Sequence, residues 1–204
     1  MRVALTFDVE HPARPTRPGV EETILAVLSE RNVPGTFFLQ GRWVRANPDQ
    51  ARRIAAAGHL IGNHSHHHAP MDALTDEGFR ADVAEAEETI REITAAEPKP
   101  WFRCPFGSGM HDERVLALLD ELGYRHVGWD VDPRDWDEAR TREDVVGTVL
   151  EGAGGREDSI VLMHGWPAVT GEALPEIVEG LLASGADFVD VGTLADQSTF
   201  TRNA

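Results

Sequence analysis

Leu60-Ile61-Gly62-Asn63-His64-Ser65-His66-His67-His68 reads as a short apolar strand that ends in four histidines. The whole chain has nine histidines, so four within five positions is a marked concentration. His64 and His68 are four apart. On a helical turn that spacing would set both rings on one face, where they could share a metal ion. Neutral imidazole is the commonest protein ligand for zinc and similar ions. Taken alone, the run reads equally well as a polar surface loop. A third ligand and a task for the metal must come from elsewhere in the chain.

Working outward, the same arrangement recurs. Apolar runs at 2–8, 34–39, 59–63, 98–105, 124–129, 159–163 and 188–191 read as strands. Between them, helices are expected over 20–31, 47–57, 75–95, 112–122, 141–150 and 170–183. Asn47, Pro48 and Gln50 have the residue types of a helix start, Thr75 and Thr141 those of N-caps, and Gly58 and Gly123 those of stops. Strand and helix alternate about seven times with no linker or internal repeat. That pattern implies parallel strands joined by right-handed crossovers, in one α/β domain spanning 1–204. In such folds ligand sites gather at the C-terminal ends of strands. Asp8, His64, Arg103, Asp130 and His164 all fall at or just after expected strand ends, and are expected to share one site.

Composition narrows the function. The 204 residues, 41% hydrophobic, suit one globular domain with a sizeable core. A formal charge of −16 repels nucleic-acid backbones and anionic membranes, so neither is an expected partner. No apolar run approaches the ~20 residues of a membrane span. The chain runs straight from Met1-Arg2 into an apolar run ending at Asp8, with no secretion signal. A cytoplasmic location is expected from this, or a secreted one if a leader was removed. The single cysteine, Cys104, excludes an internal disulfide and a cysteine zinc cage.

The strand ends carry the chemistry. Asp8 can serve as a general base or a metal ligand. Glu10, two residues on, points to the same side if the backbone stays extended, and could complete a set of two histidines and one carboxylate. Arg103-Cys104-Pro105-Phe106-Gly107 reads as a rigid turn. Its arginine could fork onto Asp8, and the Phe106 N–H could face a developing oxyanion. Cys104 reads as small core filler, since nothing local activates it. Asp130 to Trp136 is an acidic segment flanked by Trp129 and Trp136, suited to a sugar face. Ile160 to His164 delivers a histidine, and a carboxylate such as Asp135 would orient it and favour its charged form.

In this combination the chain resembles the polysaccharide deacetylases of the NodB-homology type, carbohydrate esterase family 4. Five motifs match in order: Thr6-Phe7-Asp8, His64 to His68, Arg103 to Gly107, Asp130 to Trp136, and Ile160 to His164. The resemblance implies a distorted (β/α)7 barrel. It also implies one divalent ion, usually zinc, held by an acid and two histidines, and removal of N-acetyl or O-acetyl groups from amino-sugar or polysaccharide substrates. By resemblance Asp8 is the base, His64 and His68 are ligands, and Arg103 positions Asp8. His164 is the acid, tuned by Asp135, and Trp136 lines the pocket. Many members place a second aspartate, the metal ligand, directly after the base. Here that position is Val9, so Glu10 is the expected third ligand. Two other readings keep the barrel: a hydrolase of small cyclic imides or ureides, and a non-catalytic sugar-binding module.

Overall fold

The structure, a computed structural model, describes residues 1–11 and 19–197. Its centre is β1 (Arg2–Val9), followed by β2 (Gly35–Leu39), β3 (Leu60–Asn63), β4 (Trp101–Phe102), β5 (Arg125–His126), β6 (Asp158–His164) and β7 (Asp187–Phe188). All seven belong to one parallel sheet in the order β5-β4-β3-β2-β1-β6, with β7 beside the first residues of β1. The chain after β5 closes the ring. The Val127 N–H donates to the Phe102 carbonyl on one side, and Val131 bridges Val161 of β6 on the other. Helices α1 (Val20–Glu30), α2 (Gly41–Ala46), α3 (Pro48–Ala56), α4 (Asp76–Thr94), α5 (Glu113–Glu121), α6 (Arg142–Ala153), α7 (Ala168–Ala183) and α8 (Val191–Gln197) supply the crossovers and the C-terminal end. The product is the expected distorted (β/α)7 barrel.

The two-residue period of β1 decides what the barrel contains. Val3, Leu5, Phe7 and Val9 belong to one core cluster with Ile24 and Leu28 of α1 and Ile177 and Val178 of α7. Ala4, Thr6 and Asp8 project to the opposite face, where Ala4 packs with Phe38, Val127 and Ile160. Both faces are covered, so β1 is a continuous buried run after Arg2. Register then sets Asp8 between Phe38 of β2 and His164 of β6.

Helix starts follow the sequence. Thr75 accepts from the Gly78 N–H, and Thr141 forms a capping box with Asp144. Asn47 gives no side-chain cap to α3. Its amide donates instead to the Trp43 carbonyl, because α2 runs directly into α3 and ends there. α2 and α8 were not expected. β4, β5 and β7 shrink to two residues each, since the chain there bends away after one or two ladder bonds. Pro175 is accommodated within α7. Most of the loop from Glu10 to Gly19 lies outside the described residues. Among the described residues no helix is long and apolar enough to cross a membrane.

Candidate active site

β1, β3, β6 and the turn after β4 bring their C-terminal ends to one cleft of ≈ 400 Å³ lined by Asp8, Glu10, His64, His68, Phe106, Trp136 and His164, among others. Of the residues assigned to the site from sequence, Arg103 and Asp135 lie behind the cleft as supports, and Asp130 falls outside it.

Arg103 is fully buried and spreads over four acceptors. Nη1 donates to Asp8 Oδ1 at 2.9 Å and to Thr6 Oγ1 at 2.8 Å, Nε to the Val127 carbonyl at 3.1 Å, and Nη2 to the Gly128 carbonyl at 3.1 Å. Its guanidinium lies 4.2 Å from the Phe38 ring centroid. The expected fork onto Asp8 is therefore a single contact. The other arms are taken by Thr6 and the closing segment, so the arginine fixes Asp8 and the barrel seam together.

The histidine run is not a helical turn. Ser65 and His68 both have positive φ, 64° and 59°, and the loop turns back on itself. Its rings converge by this loop rather than by helical pitch. Asp82 of α4 accepts from the His66 and His67 N–H groups at 2.8 and 3.0 Å, and also pairs with the His67 ring. His67 is thereby turned outward, and the buried His66 ring faces Glu85, 3.3 Å away. Among the described residues His66, His67 and Glu85 form a second close trio, but Arg45 already pairs with Glu85 and Asp82 with His67.

Glu10, His64 and His68 fit a metal ion. Their donor atoms lie within 4.8 Å of one another. The Arg103 carbonyl, which can only accept, lies 2.9 Å from His64 Nδ1, so Nδ1 carries the hydrogen and Nε2 turns its lone pair inward. That Nε2 lies 3.2 Å from His68 Nε2 and 3.3 Å from Glu10 Oε2, and His68 Nε2 is paired with the same oxygen. Two facing imidazole nitrogens and a carboxylate at one point are the donor set of zinc-like ions. Burial favours neutral Glu10. The neighbouring imidazoles of His11, His64 and His68 outweigh it and hold the carboxyl far below the usual range. For His64 burial works downward, but Asp8 and Glu10 outweigh it and raise the ring's pKa. For His68 burial prevails and lowers it.

Val9 stands where the resemblance would lead one to expect the ligand, and its side chain points away. It belongs to the helix-facing core cluster and abuts Gly165, whose Cβ, if present, would stand 3.1 Å from it. Glu10 returns to the Asp8 side of the strand by the two-residue period.

On the opposite wall, Asp135 Oδ1 and His164 Nδ1 are 2.7 Å apart. Burial pulls His164 down. Asp135 pushes it up further, with help from Asp8 and Glu10, to about 9. Thr170 of α7 donates to Asp135 at 2.6 Å. Trp136 is 42% exposed at the mouth, with the Arg134 guanidinium 5.2 Å from its ring. Phe106 is 68% exposed, has φ 58°, and stands 4.4 Å from the His68 ring. Cys104 is buried at the cleft floor with its thiol pushed up to about 12 by burial, which suits a filler and not a nucleophile.

Asp130 does not join the site. Its carboxylate accepts from the Ile160 N–H at 2.9 Å and pairs with Arg156, tying the barrel seam. Sequence reading assigned no role to His11, Gln40, Thr6 or Thr170. His11 sits beside Glu10 in the chain and was readable as a neighbour, whereas Gln40 and Thr170 arrive through tertiary packing alone.

Known proteins resemble this chain over most of its length. A family model described as polysaccharide deacetylase matches residues 1–127. A chitooligosaccharide deacetylase of Rhizobium leguminosarum bv. trifolii is 36% identical over 169 residues, covering 79% of this chain and 70% of that protein. A peptidoglycan-N-acetylglucosamine deacetylase of Bacillus cereus is 31% identical, covering 96% of this chain and 69% of its own. Among solved structures, a pseudoenzyme of carbohydrate esterase family 4 from Bacillus anthracis superposes with a TM-score of 0.85 at 28% identity. It matches 95% of this chain, which spans only 64% of that neighbour's length.

Proposed function

The chain belongs to the polysaccharide deacetylase family, and on that premise we propose that it is a metal-dependent hydrolase removing N-acetyl groups from amino-sugar polymers or oligomers. The observation that carries the reading is the convergence of Asp8, the trio Glu10, His64 and His68, and the Asp135–His164 pair on one cleft.

Glu10, His64 and His68 would hold one divalent ion, zinc by the chemistry of the donors. When bound, such an ion polarises an acyl oxygen and renders an adjacent water more acidic. Asp8, held by Arg103, takes the proton from the attacking water. The Phe106 N–H is assigned to the developing oxyanion. His164 has Nδ1 engaged by Asp135, so its Nε2 proton is the one given to the leaving amine. Water and amide are thereby converted to acetate and free amine. Trp136, exposed at the mouth beside the acids, offers a sugar-stacking face.

Asp8, the Asp135–His164 pair and the trio Glu10, His64 and His68 face one cleft, and this supports an enzyme over a binding module. The aromatic rim and the relatives' names favour amino sugars over cyclic imides. Acetate release from N-acetylglucosamine oligomers, run beside a panel of cyclic imides and ureides with and without zinc, tests the reading. Zinc-dependent acetate from the oligomers supports it. Turnover confined to the imide panel overturns it.

A further inference from the structure

A glutamate ligand raises a problem that an aspartate directly after the base does not. Glu10 has an extra methylene and more rotamer freedom to lose, so one carboxylate oxygen must be fixed before the other can be presented reproducibly. The structure supplies the fixing group. His11 Nε2 lies 2.7 Å from Glu10 Oε1, while Oε2 is the oxygen that faces His64 and His68. The two oxygens are thus divided between an outer imidazole and the inner pair.

His11 reaches back over its own neighbour because its backbone turns there, at φ 65°. Histidine is among the residues that tolerate this region. Gln40, buried after β2, clamps the turn from both sides. Its N–H donates to the Val9 carbonyl at 3.0 Å, and its Oε1 accepts from the His11 N–H at 3.2 Å. The His11 ring is wedged edge-on between His68 and Trp166, at centroid distances of 5.4 and 5.5 Å. Backbone, ring and hydrogen bond each have their own partner: Gln40, the His68 and Trp166 rings, and Glu10.

We infer that His11, braced by Gln40, is a positioning residue: it anchors Oε1 of Glu10 so that Oε2 is presented as the third metal ligand. The inference rests on the reading of Glu10 as a ligand. Outer-sphere partners of this kind typically change metal affinity 10–100-fold when removed.

The test is zinc affinity of the full chain by competition with a chromogenic chelator, with the cobalt(II) absorption spectrum as a second readout. His11→Ala should weaken zinc binding ~10–100-fold and alter the cobalt bands. His11→Gln places an amide N–H near the position of Nε2 and should restore both most of the way. Unchanged affinity in His11→Ala overturns the inference. So does a His11→Gln variant as weak as His11→Ala, since packing or direct ligation by the ring would give that result. Glu10→Ala should lose the metal in the same assay. If it binds zinc normally, the ligand reading itself is overturned, whereas loss in Glu10→Ala with no effect in His11→Ala overturns only the role of His11.

Discussion

Asp135 grips His164 at two points: one carboxylate oxygen meets Nδ1 at 2.7 Å, and the other accepts the backbone N–H of the same residue at 2.8 Å. Ring and main chain cannot move independently, so the free face of the imidazole keeps one orientation toward the cleft. The aspartate is itself held by Thr170, which leaves its charge nowhere to relax except onto the ring.

The pH dependence follows from the sign of this shift. His164 is raised from 6.5 to about 9, so the folded chain retains a proton that the unfolded chain loses near 6.5. Its stabilising contribution is complete below 6.5 and fades as pH rises toward 9. The alkaline limb of kcat/KM should reflect the same proton. In Asp135→Asn only Asp8 and Glu10 are left to oppose burial, and the limb should move by one or more units to lower pH. A pH–rate profile of both proteins checks this, and an unmoved limb counts against His164 as the proton donor.

Asp8→Asn should reduce turnover by roughly 10²–10⁴-fold, the usual contribution of a general base. Zinc content should stay near that of the parent, since Glu10, His64 and His68 remain. Metal analysis beside the acetate assay separates the two effects. Near-normal turnover would exclude Asp8 as the base.

Arg103→Ala should cost roughly 3–5 kcal/mol in urea unfolding, because it strands a buried carboxylate and leaves two carbonyls of the barrel seam without a donor. Arg103→Lys should recover only part of this, since a point-like ammonium cannot span four acceptors.

Trp136→Ala should raise KM several-fold for sugar substrates and leave the melting behaviour nearly unchanged. The ring is exposed, and such substitutions usually fall within about 0.5 kcal/mol. A steep fall in stability would mean that the ring is structural.

The sequence was most legible where the chain is buried on both faces. β1, β2 and β6 are long parallel strands, and their apolar runs stand out from the amphipathic helices that separate them. β4, β5 and β7 are two residues long, too short to carry a period. Asp8, His64, Arg103 and His164 were legible because each sits at or just after a strand end. Asp130 has the same placement and a different fate, set by whether its side chain meets the cleft or the backbone of β6. The histidine loop brings His64 and His68 together as expected, but by a turn and not by helical pitch. Its two positive-φ residues, Ser65 and His68, have none of the glycine signature that would have announced them.

The register of β1 against β6 has a consequence in time. Asp8 and His164 are paired neighbours, as are Arg2 and Asp158, yet about three quarters of the chain lies between them. During synthesis at ~5–20 residues per second, the first strand is made on the order of 10 s before the strand that covers its second edge. Until then its apolar run is exposed along one side, and contacts this distant in sequence make for slow closure. Only with β6 do Asp8 and His164 become neighbours and Val131 find Val161, so a nascent chain carries no assembled cleft before that strand is in place.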